Sequence, residues 1–198
     1  MAVSRFSRAE LAAFHGRRVD DLLGDHTELL FVGINPGLWT AAVNAHFARA
    51  GNRFWPALHR GGVLPRLIDA RGGMSASDRE MVVGAGIGIT NIVPTASARA
   101  DELTRTELLE GGARLTDLVG RLRPRVVAVL GLTAYREAFA DRGATAGMQP
   151  NSLAGAELWV LPNPSGLNAH ESLDSLATAY RAAADAAGLG KPRCPRTP

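Results

Sequence analysis

Two asparagines stand where an apolar run empties into a loop. Asn35 lies in "FVGINPGLW" (31–39) and Asn163 in "VLPNPSGLNAH" (160–170), each followed by a proline. That proline holds the preceding residue extended rather than helical. Gly37 and Gly166 then allow backbone to approach a ligand closely or to take positive φ. Asx-Pro-Gly is also sound turn chemistry, so one such loop alone need be nothing more than a turn. Two of them at like ends of a sheet point to a shared site. An amide side chain offers a donor and an acceptor but takes no proton at neutral pH. A catalytic asparagine therefore suits a reaction that needs a positioned water more than a strong base. Hydrolysis through a dissociative, cationic sugar transition state meets that condition, because orientation replaces much of the general-base work.

Other chemistries find less support. The one cysteine, Cys194, cannot form an internal disulfide, an iron–sulfur cluster or a cysteine zinc site. The five histidines show no HExxH or related spacing, so no metal is expected. The run "GAGIGITNIV" has glycines at 84, 86 and 88, which is not G-x-G-x-x-G, and reads as the close-packed start of a strand. No serine- or cysteine-centred triad and no carboxylate pair stands out. Lys191 is the only lysine, which argues against a Schiff-base nucleophile. Net charge is +3, a scattered excess of arginine that permits a polyanionic partner without demanding one.

The elements that must carry these residues follow from pattern. The chain's 198 residues, 46% hydrophobic and 21% charged, suit one globular domain. No apolar run reaches membrane-spanning length, and "MAVSRFSRAELAAFHGRR" lacks the apolar core of a signal peptide, so a cytoplasmic protein is expected. Capping boxes at Ser7–Glu10, Ser77–Glu80 and Thr104–Glu107 predict three helix starts. "NRFWPALHRGG", "TAYREAFADRG" (ended by Gly143) and 172–188 predict three more helices. "ELLFVGI", the run "GAGIGITNIV", "RVVAVLG" and "ELWVLP" predict four short apolar strands. Helices alternating with short apolar strands imply an α/β fold, a three-layer α/β/α sandwich around a central, mainly parallel four-stranded sheet. In such a sheet the site lies beyond the carboxyl ends of the strands. Residues 1–188 form the domain, with a helical extension over 1–27 and a disordered tail over 189–198.

The ordered set "GINPG", "NRFW", "ITN", "ELLEGGARL" and "LPNPSGL", from about Leu29 to Tyr180, resembles the mismatch-specific uracil-DNA glycosylase and thymine-DNA glycosylase family. The resemblance implies a uracil-glycosylase fold without a cofactor. It also implies excision of uracil, or of related pyrimidines such as ethenocytosine, flipped from G-mispaired double-stranded DNA. An enzyme of the bacterial nucleoid is expected, and a monomer, since scanning DNA needs no dimer. Carried over by motif, Asn35 positions the attacking water, Ile34 borders the base pocket, and Phe47 stacks on the flipped base. Asn163 stabilises charge leaving on the base. Ser165, Gly166, Leu167 and Asn168 match the loop that fills the vacated stack and reads the widowed guanine through its backbone, with Leu167 as the wedge.

Three positions depart from the family. Thr40 replaces the serine of bacterial relatives and the alanine of thymine-processing ones, and its branched side chain should crowd the C5 methyl of thymine. Asn91 stands in the base pocket where the best-known bacterial relative has lysine and the animal type has asparagine. Ala169 stands in place of an arginine beside the wedge, leaving His170 or Arg99 to supply that DNA contact. Two readings outside a working glycosylase stay open: a nucleotide-binding α/β enzyme, which would need a phosphate-loop fingerprint, and a DNA-binding relative without catalysis, which would have lost Asn35.

Overall fold

The computed structural model describes residues 6–168 and 171–189. Ala169, His170, Lys191 and Cys194 lie outside the described residues, as does the expected tail from residue 190 onward. Helices α1 (Arg8–Ala12), α2 (Leu38–Val43), α3 (Phe54–Arg60), α4 (Ala76–Gly84), α5 (Arg105–Leu122), α6 (Leu132–Ala138) and α7 (Leu173–Ala186) alternate with strands. The strands are β1 (Leu29–Gly33), β2 (Ile87–Asn91), β3 (Val126–Leu130), β4 (Gly147–Met148) and β5 (Glu157–Leu161).

The five strands form one sheet in the order β2-β1-β3-β5-β4, parallel except for β4. The expected α/β sandwich with a mainly parallel sheet is what is found, with five strands where the sequence pattern predicts four. The additional strand, β4, is two residues long and pairs antiparallel with Trp159 and Val160 at the sheet edge. It has no apolar run of its own to betray it.

β1 and β3 are buried at every position, as a parallel sheet covered on both faces requires. Alternation along each strand sends side chains to opposite layers. Leu29 and Phe31 of β1 join Val126, Ala128 and Leu130 of β3 in a core shared with Phe54 and Leu58 of α3 and Tyr180 of α7. Leu30 and Val32 join Val127 and Val129 in a second core under Leu115 and Val119 of α5 and Tyr135 of α6. Full burial of each large apolar side chain contributes roughly 1.5–3 kcal/mol.

Local signals explain most boundaries. The Ser7–Glu10 and Thr104–Glu107 boxes cap α1 and α5 as read from sequence. The middle box is displaced: α4 begins from Ser75, whose hydroxyl accepts from the Asp78 N–H at 3.1 Å, rather than from Ser77. Asp78 there also pairs with Arg66 at 2.6 Å, which favours the earlier register. α6 stops before the predicted Gly143, because Ala140 takes φ 52°. Among the described residues of the N-terminal extension, only five are helical. Leu22 instead exchanges backbone hydrogen bonds of 2.9 and 2.7 Å with Ile89, covering the outer edge of β2. α2, directly after the Asn-Pro-Gly turn, was not legible: it is six residues long and its N-cap Gly37 supplies no side-chain cap.

Candidate active site

Because β1, β2, β3 and β5 are mutually parallel, their carboxyl ends open on one side of the sheet. The loops that follow them enclose a cleft of about 420 Å³. Ile34, Asn35, Thr40, Phe47, Asn91, Asn163, Ser165 and Leu167 all line it, so residues spread over most of the chain meet in one place. Gly166 and Asn168 belong to the same loop but are not among the residues that line the cleft. Gly37 has φ −77° and open space around it, so it uses neither positive φ nor a close contact within the protein.

The Asn35 amide is held in one orientation. Its Nδ2 donates to the Ser97 hydroxyl at 2.8 Å and to the Pro36 carbonyl at 3.1 Å. A carbonyl only accepts, so the nitrogen must face that way. The Ser97 hydroxyl in turn donates to the Arg99 carbonyl at 2.6 Å, which commits its proton and leaves its oxygen to receive Nδ2–H. The Asn35 Oδ1 makes no hydrogen bond among the described residues and borders the cleft. An acceptor without a proton to give, fixed in place, is suited to hold a water by one of its hydrogens.

The inner wall is built around a second fixed amide. His46 is 3% exposed, and burial pushes its imidazole pKa down, against the opposing pull of the Asp20 carbonyl. Its Nε2 lies 3.0 Å from that carbonyl and so carries the proton of a neutral ring. Nδ1 is then an acceptor, 3.4 Å from the Asn91 Nδ2, which turns the Asn91 Oδ1 toward Gly33. A Cβ at Gly33 would lie 2.5 Å from that oxygen and 3.3 Å from the Phe47 ring, so glycine is needed for the two walls to meet. Phe47 has φ 56°, a left-handed conformation that costs on the order of 1 kcal/mol for a bulky residue. Its ring stacks on Phe54 at 4.0 Å with the planes 26° apart. One wall of the cleft is thus a backed aromatic face. Thr40, 6% exposed on α2, narrows the cleft nearby.

The opposite rim is the loop after β5. The Asn163 Oδ1 accepts from the Ser165 N–H at 2.9 Å, and its Nδ2 makes no hydrogen bond among the described residues. This amide therefore presents a donor to the cleft where Asn35 presents an acceptor. The buried Tyr180 hydroxyl donates to the Pro162 carbonyl at 2.9 Å and fixes the start of the loop. Gly166 passes so close to Gly51 that a Cβ would lie 2.6 Å from the Gly51 carbonyl oxygen. Leu167 stands on the rim with 80% of its surface exposed. Arg49 and Arg99 also border the cleft; Arg99 is paired with Asp101, while Arg49 makes no ion pair among the described residues.

Ser97 and His46 carry no functional reading from sequence. "TASARAD" has no motif at Ser97, and a lone histidine at 46 has no ligand-like spacing. Only the fold brings them to the two amides. Among the described residues no group of three or more His, Cys, Asp or Glu side chains is placed to hold a metal ion, and no helix is long and apolar enough to cross a membrane.

In its fold the chain is similar to a candidate uracil DNA glycosylase from Methanosarcina acetivorans, solved by solution NMR. The TM-score is 0.57 at 17% identity, covering 84% of this chain and 97% of the other. The sequence profile of the uracil DNA glycosylase superfamily matches residues 21–186, from ahead of β1 to the end of α7. With that span matched and the sheet-end cleft in place, the chain belongs to the uracil DNA glycosylase superfamily.

Proposed function

We propose that this member of the superfamily is a monofunctional, mismatch-directed glycosylase that removes uracil and small related lesions from G-mispaired duplex DNA. The observation that carries the reading is the Asn35 amide, locked by Ser97 and Pro36 with its acceptor oxygen left to the cleft. A flipped pyrimidine stacks on Phe47 with its edge toward Asn91, whose Oδ1 can accept from a pyrimidine N–H. Asn35 Oδ1 holds a water by hydrogen bond. As the C1′–N1 bond lengthens, its electron pair moves onto the base, and the water oxygen bonds to the cationic C1′. The water's surplus proton passes to solvent, since the amide has no basic site for it. Charge on the departing base is met by the Asn163 Nδ2–H, a fixed donor whose worth rises as charge develops.

Leu167 fits the role of a wedge. An apolar side chain left largely in water on the rim of the cleft gains by entering a gap in a base stack. Arg49 at the mouth suits a backbone phosphate. The reading is tested by alkali-developed cleavage of oligonucleotides carrying one uracil in a G·U pair, an A·U pair or a single strand. Release fastest from G·U is expected. Equal release from A·U would contradict the mismatch preference, and no release alongside intact duplex binding would favour a non-catalytic relative.

A further inference from the structure

Arg53 occupies the N-cap of α3, with φ −100° and ψ 4° and no side-chain cap of its own. A cation at that end faces the positive pole of the helix dipole, so the helix gives no reason for an arginine there. Its bonds lead elsewhere. The backbone N–H donates to the Pro164 carbonyl at 2.9 Å. Nη2 donates to the carbonyls of Ser165 and Asn168, both at 2.8 Å, and Nη1 donates to the carbonyl of Glu171. Four carbonyls of one loop converge on a single residue. The buried Nε has no partner among the described residues, and the three guanidinium bonds end on backbone oxygen rather than on a carboxylate.

We infer that Arg53 is a positioning residue that sets the path of the loop bearing Leu167 before DNA is engaged. This inference rests on the wedge reading above for its consequence, though not for its geometry. The planar fork of a guanidinium reaches carbonyls in two directions at once, which a lysine ammonium cannot do from one point. The Gly166–Gly51 contact packs the same loop against the residues just before Arg53. Arg53 thereby ties the wedge to the segment that presents Phe47, so that base stacking and gap filling share one frame. A pre-set loop loses less freedom on binding, which is how preorganisation raises affinity.

Hydrogen exchange of the free protein tests the geometry, and a double-mutant cycle tests the consequence. In Arg53→Lys, and in the milder Arg53→Gln, amides of residues 165–168 should exchange about tenfold faster or more, with β1 and β3 unchanged. Affinity for a duplex bearing a tetrahydrofuran abasic analogue opposite guanine should fall about tenfold in Arg53→Lys, but by less than about twofold when Leu167 is already alanine. Unchanged loop exchange in both variants would overturn the inference, as would a binding loss that persists undiminished in the Leu167→Ala background. Loss of protection across β1 and β3 in both variants would also overturn it, by showing that Arg53 serves the whole fold. A wild type that binds abasic and undamaged duplexes equally, with loop exchange still raised in the variants, would defeat the wedge reading and leave the positioning role standing.

Discussion

Replacing Ser97 by alanine isolates the orientation of Asn35 from its presence. In the native site Nδ2 has two acceptors, Ser97 Oγ at 2.8 Å and the Pro36 carbonyl at 3.1 Å. Ser97→Ala removes the shorter bond and keeps the longer, so the amide is still biased but less firmly. A neutral hydrogen bond is worth about 0.5–1.5 kcal/mol net. If that energy serves to hold the amide in its productive orientation, single-turnover excision from a G·U duplex should slow about two- to thirteenfold. The Arg99 carbonyl also loses its hydroxyl donor, and a total destabilisation near 1 kcal/mol would lower the melting midpoint by about 2–4 °C in a chain of this size. The assay is single-turnover cleavage at saturating enzyme, paired with a thermal melt, with Asn35→Ala as the reference for full loss. A Ser97→Ala rate within experimental error of wild type would refute the orientation argument. So would a rate as low as that of Asn35→Ala, since the Pro36 carbonyl still holds the amide.

Thr40→Ala should open the cleft beside the base and raise the ratio of G·T to G·U excision by about tenfold, read from initial rates on matched duplexes; an unchanged ratio would remove Thr40 from specificity. Gly33→Ala places a Cβ 2.5 Å from the Asn91 Oδ1, so it should cost about 1–3 kcal/mol and slow excision more than its melting shift accounts for. His46 should make stability depend on pH. Its folded pKa lies below the ordinary 6.5, so the unfolded chain binds the extra proton first and stability falls as pH drops below 6.5. Asp20, Asp21 and Arg79 are the charged groups bearing on that ring. Melts at about pH 7.5 and about pH 5.5 should show a larger loss in wild type than in His46→Gln, by at most about 1.4 kcal/mol per pH unit. Equal losses would mean that other groups carry the pH response.

How much of this was legible depended on whether the signal was local. β1 and β3 declared themselves as unbroken apolar runs because both faces of each strand are buried, and their shortness between turn residues favours strand over helix. β4 could not be read: two residues borrow their strand character from β5 and own no periodicity. α2 lacks a capping side chain, and the Ser75 box was hidden by a competing serine two positions later, decided by Arg66 from outside the helix. In the site, the two Asn-Pro loops were legible because sequence alone brackets each asparagine between strand and proline. The partners that orient the amides were not. Ser97 is 62 residues from Asn35, and His46 is 45 residues from Asn91. Such pairings are products of topology, and only the sheet order brings them together. Arg53 lies within "NRFW", but the carbonyls it gathers lie more than a hundred residues away.

Whether Asn35 positions the attacking water is decided by single-turnover excision of uracil from a G·U duplex, wild type against Asn35→Ala. Wild type should release the base measurably and the variant should lose at least about a hundredfold, with duplex affinity retained. Comparable release by both proteins would contradict it and shift the catalytic work to other groups of the cleft, Asn163 first.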